Sequence, residues 1–229
     1  VTNPRISSEL AGFAAARQFR GVFELHLTVP PLEENAQREF RDLCAQLALK
    51  PILIHAPGAF MALQPMTSSY LQGEAPLVAE ETHRLLGLLA RAGFPALRCK
   101  LEATLASRGV PRSDDEVNLA AGRYFEFHAK LLLPPGQIEQ ARLRCLELGA
   151  HLSSNAARLR PDHLQERFLT LRCHDAGQPA ALTRFRTLLA GLRRQGFHPH
   201  HLLHEYSVLD TNSLLDQGWL ALPSRCLPL

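Results

Sequence analysis

Two short strings carry the most suggestive chemistry of the chain. Phe23 to Pro31 reads FELHLTVPP and Phe125 to Pro135 reads FEFHAKLLLPP, so a Glu-x-His pair occurs twice, as Glu24/His26 and as Glu126/His128. Two residues further on stand Thr28 in the first string and Lys130 in the second. In a strand, residues i, i+2 and i+4 share a face. Each string therefore offers a carboxylate, an imidazole and a hydroxyl or ammonium group side by side. Imidazole titrates near neutrality, and a positioned acid or base moves protons in a transition state, so such a face can hold an anion and work on it. His26 and His128 are the candidate general base and general acid, with Glu24 and Glu126 supporting the imidazolium. Thr28 and Lys130 are candidates to hold the anion, and Lys100 and Arg172 to add positive charge beside it. Glu102 and Glu205 are expected to join the same substrate-binding face. The chain has only three lysines, and two of them fall here rather than on helices.

These residues need a scaffold, and an internal repeat predicts it. Besides the two strings, RLLGLLARAGFP from Arg84 matches TLLAGLRRQGFHP from Thr187 at nearly the same offset, and Glu102 aligns with Glu205. A missed duplication misreads everything downstream, so this takes precedence over any local motif. Each copy begins with an alternating strand (Phe23 to Val29; Tyr124 to Leu131), followed by a Pro-led helical pattern. Two strands follow (Ile52 to His55 and Met66 to Gln72; Leu152 to Ala157 and Phe168 to His174). Then come a helix ending at Gly93 or Gly196 and a last strand (Ala96 to Leu105; His201 to Leu209). The order βαββαβ is the split βαβ arrangement.

The expected fold class is thus α+β, a tandem duplication of a ferredoxin-like unit forming a pseudo-dimer. Its expected parts are an N-terminal extension (1–21), repeat one (22–108), a connection (109–122), repeat two (123–210) and a C-terminal tail (211–229). In such a unit both helices pack on one side of the sheet. Phe23, Leu25, Leu27 and Val29 would face the helices, which turns Glu24, His26 and Thr28 to the other side. By the same phase, that side also receives Arg98, Lys100, Glu102 and Thr104, with His201, Leu203, Glu205 and Ser207 equivalent in the second copy. The third strands add Ser68 and Tyr70, then Thr170, Arg172 and His174.

The string HLTV, His26 to Val29, resembles one of the two HxTx motifs of the 2H phosphoesterases, bilobal duplicated proteins in which each lobe offers one histidine to a phosphoester and the Ser/Thr hydroxyls hold the phosphate. The resemblance implies a phosphoesterase-like hydrolase acting through His26 and His128. The second copy departs from the pattern: HAKL, His128 to Leu131, carries Lys130 where the hydroxyl residue would stand.

Composition bounds the remaining classes. At 229 residues, 46% hydrophobic and 21% charged, with formal net charge +3, the chain has the make-up of a folded globular protein rather than a disordered one. No apolar run reaches the roughly 20 residues of a membrane span, so a cytoplasmic protein is expected. Cys44, Cys99, Cys145, Cys173 and Cys226 are scattered without a CxxC pair and read as reduced, mostly buried thiols. Residues 123 to 210 are the more basic half and hold eight of the eleven histidines, so an anionic partner should lean there. The run HPHHLLH, with His198, His200, His201 and His204, lacks the spacing of a zinc site. Asp210 to Trp219 lacks the register of a calcium loop and reads as a capping segment. No metal or cofactor is therefore expected. Phosphate-loop, dinucleotide and nucleophile-elbow motifs are absent. RNA binding on the open faces is disfavoured, because their central positions hold Glu, His and Thr rather than stacking aromatics. The partner expected is a phosphate-bearing small molecule or nucleotide. The alternative is a non-catalytic ligand-binding or protein-interaction pseudo-dimer whose open faces pack on each other or on a partner chain.

Overall fold

The alternating apolar residues of the first string fold as expected into a strand, β1 (Arg20–Thr28), in a computed structural model that describes residues 3–155 and 163–219. The chain continues through α2 (Glu34–Gln46), β2 (Lys50–His55), β3 (Leu63–Glu74), α3 (Ala75–Arg91) and β4 (Arg98–Thr104). After a connection with short 3-10 turns at Asp114–Glu116 and Leu119–Ala121 come β5 (Tyr124–Leu133), α4 (Ile138–Glu147), β6 (His151–Asn155), β7 (Gln165–Cys173), α5 (Gln178–Arg194) and β8 (His200–Asp210). The order βαββαβ thus occurs twice, in a mixed α and β fold with an antiparallel sheet.

The eight strands close on themselves in the order β1-β3-β2-β6-β7-β5-β8-β4, with β4 returning to β1. Two seams join the halves. One is short, with Ile54 facing Asn155 and His55 facing Ser154; the other runs from Lys100 opposite Asp210 to Thr104 opposite Glu205, with a bulge at Leu101/Glu102. Closure removes the sheet edges that would otherwise be exposed. It also turns both helix-free faces into one interior.

The apolar core lies outside the barrel, between the sheet and the helices. Phe23, Leu25, Leu27, Phe125, Phe127 and Ala129 are fully buried on that side, against helix residues such as Phe40, Leu85, Leu89, Phe185 and Leu192. Burying each large apolar side chain is worth about 1.5–3 kcal/mol, so this layer fixes the strand phase that sends the polar residues inward.

The segment read as a bare N-terminal extension contains helix α1 (Pro4–Ala15), and β1 begins at Arg20, ahead of the expected boundary at residue 22. Asn3 caps α1 by accepting from Arg5 N, and Ile6, Leu10 and Phe13 recur at helical spacing as its buried stripe. Phe13 then packs edge-on to Phe23 and stacks on Phe19. Gly109 lets the chain pass beneath: its φ is +90°, and a Cβ there would sit 2.6 Å from the Phe19 ring.

The last described residues fold back over one end of the barrel. Phe60 N donates to Gln217 O at 2.7 Å, Met61 N to Leu215 O at 3.1 Å, and Trp219 Nε1 to Leu152 O at 2.9 Å. Cys226 and residues 156–162 lie outside the described residues, as does the end of the strand expected at Leu152 to Ala157.

Candidate functional site

An eight-stranded barrel is just wide enough for its inward side chains to fill it, so residues from strands that are not neighbours meet across the interior. Register brings the central ones together. On β1, Glu24 pairs with Glu102 and His26 with Lys100 of β4; on β5, Glu126 pairs with Glu205 of β8 and with Arg172 of β7.

The centre is a chain of charged contacts that crosses between the halves. Lys100 Nζ lies 2.7 Å from Glu102 Oε1 and 3.0 Å from Glu126 Oε2. Glu102 Oε2 in turn lies 3.3 Å from His26 Nε2, and Glu126 Oε1 lies 3.3 Å from His128 Nε2. The two histidines thus sit at opposite ends of one Glu102–Lys100–Glu126 bridge. Both nitrogens of His26 face oxygen: Nδ1 is 3.2 Å from the Thr67 carbonyl, and Nε2 faces Glu24 and Glu102. A carbonyl and two carboxylates only accept, so all these contacts are hydrogen bonds only with a doubly protonated ring or a proton on one carboxyl group. His128 has more freedom, because its Nδ1 meets Thr170 Oγ1 at 3.1 Å and a hydroxyl can donate or accept.

Electrostatics follows from this packing. Burial opposes charge on Lys100, but Glu102 and Glu126 outweigh it and hold the ammonium charged well beyond its ordinary range. Glu102 is brought down to about 2: burial pushes it up, and Lys100 more than offsets that. Glu126 is likewise held well below the carboxylate range by Arg172 and Lys100 against its burial. Glu205 goes the other way, raised well above its ordinary value by burial and by the facing Glu102 and Glu24. It is 4% exposed and accepts no hydrogen bond among the described residues; His128 Nε2 lies 3.9 Å from it.

One end of the interior is open. Tyr70 is 65% exposed although it is inward in phase, and its hydroxyl donates to Glu24 Oε2 at 2.8 Å; Ser68 Oγ donates to Glu24 Oε1 at 2.6 Å. The side chains of His26 and His128 are 16% and 25% exposed. The opposite end is shut by a second network. Arg98 grips Asp210 through two hydrogen bonds of 2.6 and 2.7 Å, and Asp216 of the folded-back tail lies 3.0 Å from Arg98 Nη2 and accepts from Arg172 Nη2 at 2.8 Å. Gln64 Nε2 and Tyr124 Oη complete it, donating to Asp216 and Asp210.

The expected site residues divide accordingly. Glu24, His26, Glu102, Lys100, Glu126, His128, Arg172 and Glu205 converge in one interior. Thr28 is on the inward phase but lies opposite Arg98, toward the shut end, while Lys130 is near the open end with its Nζ 3.4 Å from Glu166 and over the Phe168 ring. They do not flank a common point. Lys100 and Arg172, expected to meet an anion, each already contact two carboxylates. His200 and His201 pack ring against ring at 4.9 Å, and His204 lies edge-on to Phe127 and Phe185, without a metal-like grouping among the described residues. The shut-end network was not anticipated as a unit. The sequence places Arg98 on the face but reads both Asp210 and Asp216 as parts of a capping segment.

No family model matches the chain, and neither does any curated protein. Among solved structures, two mutant chlorite dismutases from Candidatus Nitrospira defluvii, one of them with cyanide, align over 87% of this chain and 95–96% of theirs, at 11% identity and a TM-score of 0.28. Similarity at that level carries no argument about fold or chemistry.

Proposed function

We propose that the open end of the barrel interior is an acid–base site acting on a phosphate-bearing small molecule, with one imidazole of the His26/His128 pair as general base and the other as general acid. The observation that carries this reading is the placement of the two histidines at the two ends of the Glu102–Lys100–Glu126 bridge, both partly open to solvent. The bridge fixes their Nε2 atoms, and Glu24 stands beside the first as Glu126 does beside the second. The HLTV string supports a two-histidine phosphoesterase; Lys130 and the displaced Thr28 argue for a different phosphate grip from that family's. The test is turnover of a panel of cyclic and linear phosphodiesters by the parent and by His26→Ala and His128→Ala. Each substitution is expected to lower the rate by about 100- to 10,000-fold; equal turnover in all three would refute the reading.

The finer fold reading belongs with this one. The repeated element order and the equivalent placing of Glu24 with Glu126, His26 with His128 and Glu102 with Glu205 support two ferredoxin-like units, 22–108 and 123–210, arisen by tandem duplication. Cys44, Cys99, Cys145 and Cys173 are buried thiols, which supports a reducing, cytoplasmic setting. Among the described residues no helix is long and apolar enough to cross a membrane.

A second reading, a non-catalytic ligand-binding or interaction barrel, is favoured by one observation: Lys100 and Arg172 are each already paired with two carboxylates, as in a purely structural polar core.

A further inference from the structure

The interior holds more negative groups than positive ones. Six buried carboxylates, Glu24, Glu102, Glu126, Glu205, Asp210 and Asp216, face three permanently charged cations, Arg98, Lys100 and Arg172. Six against three leaves a surplus of three negative charges where water is scarce, and uncompensated buried charge is costly. Either protons or a cation must supply the balance.

Glu102, Glu126 and His128 each offer a ligand atom, and these atoms lie within 4.8 Å of one another. Glu205, nine-tenths or more buried and without a hydrogen bond among the described residues, stands beside this group, 3.9 Å from His128 Nε2. We propose that these four residues form a binding site for one divalent transition-metal ion, with His128 Nε2, Glu126 and Glu102 as the converging ligands and Glu205 as the adjacent carboxylate that completes the set.

The geometry supports this in three ways. A tetrahedral ion with bonds of about 2.0–2.1 Å holds neighbouring ligand atoms about 3.3–3.4 Å apart. His128 Nε2 and Glu126 Oε1 are already 3.3 Å apart, and a Glu102 oxygen lies within 4.8 Å of ligand atoms of both. The ligands are also oriented from behind, as metal ligands usually are. Thr170 Oγ1 holds His128 Nδ1 and leaves Nε2 pointing to the site, while Lys100 and Arg172 occupy Glu126 Oε2 and leave Oε1 turned to His128 Nε2. Finally, one imidazole with several carboxylates suits zinc, manganese(II) or iron(II) better than the all-oxygen sites of calcium and magnesium. The ion would bring two positive charges into the surplus without displacing Lys100. An ion on His128 Nε2 takes the lone pair that the acid–base reading gives to a proton, so the inference stands on this ligand set alone and is an alternative to that role of His128.

The experiment is calorimetric titration of the chelator-treated full chain with ZnCl2 and, separately, MnCl2, with thermal denaturation in parallel. One ion per chain and a rise in Tm are expected with at least one of the metals, because a ligand bound only by the folded state stabilises it. His128→Gln and Glu205→Gln should each weaken binding at least about tenfold. Glu205→Gln should leave the metal-free Tm equal to or above the parent's, since it removes an unpaired buried acid, which separates a lost ligand from a lost fold. Substituting the histidines of the separate cluster, His200→Gln and His201→Gln, should leave the affinity unchanged. No stoichiometric binding by the parent, or binding that survives His128→Gln and Glu205→Gln but is lost with the His200/His201 substitutions, would overturn the proposal.

Discussion

Lys100 Nζ lies 3.0 Å from Glu126 Oε2 although the strands that carry them, β4 and β5, are separated by β8. The contact crosses the barrel rather than following the sheet, so the ammonium ties the two halves together. Lys100→Met would leave Glu102 and Glu126 facing each other without their shared cation. Breaking a buried pair by removing one partner costs about 3–5 kcal/mol, and a loss of that size is expected in urea denaturation. The double variant Lys100→Met/Glu126→Gln should lose less than the sum of the two single losses. Additive losses would mean that the two side chains do not interact.

The shut end gives a second expectation. Asp216 bridges Arg98 and Arg172 from a segment that follows the last strand, and Gln64 holds it in place. Asp216→Ala removes a carboxylate shared by two buried guanidinium groups, which should cost about 3 kcal/mol. It should also free the tail, so limited proteolysis should cut near Asn212 in the variant and not in the parent. Unchanged stability and unchanged cleavage would show that the tail is not fastened through Asp216.

Much of this interior was legible from alternation alone. With Phe23, Leu25 and Leu27 assigned to the core, Glu24 and His26 had to face the other way, and the same logic placed Lys100, Glu102, Glu126, His128, Arg172 and Glu205. What alternation does not encode is which strand edges meet. The β2–β6 seam rests on backbone bonds at Ile54, His55, Ser154 and Asn155, residues with no distinctive pattern, so the two faces could not be read as one interior. Asp216 was hidden for a related reason: it reaches Arg98 only because the tail folds back across the barrel end, a contact between residues 118 apart in the chain. Helix α1 was a different kind of omission, since Ile6, Leu10 and Phe13 do show helical spacing after a capping Asn3.

His151 predicts a pH dependence of stability. Burial, with a smaller contribution from the Arg172 charge, pushes this imidazole down to about 4. The unfolded chain, with an ordinary histidine near 6.5, therefore takes up a proton before the folded one as pH falls. The contribution of His151 is fully present above about pH 6.5 and is lost as pH drops toward about 4. Replacing it by glutamine should flatten the fall in Tm across that window without altering the slope above pH 7. A variant and parent with parallel profiles between pH 6.5 and 4 would contradict the assignment.

The account's central claim is that His26 and His128 act on one ligand from the two ends of a shared bridge, and double substitution tests it most directly. Phosphodiester turnover should be compared for the parent, His26→Gln, His128→Gln and the variant carrying both. Groups that act as a unit are strongly non-additive, so each single variant should lose about 100- to 10,000-fold and the double variant little more than the worse single one. Activity retained by either single variant, or losses that simply multiply in the double variant, would contradict a shared site.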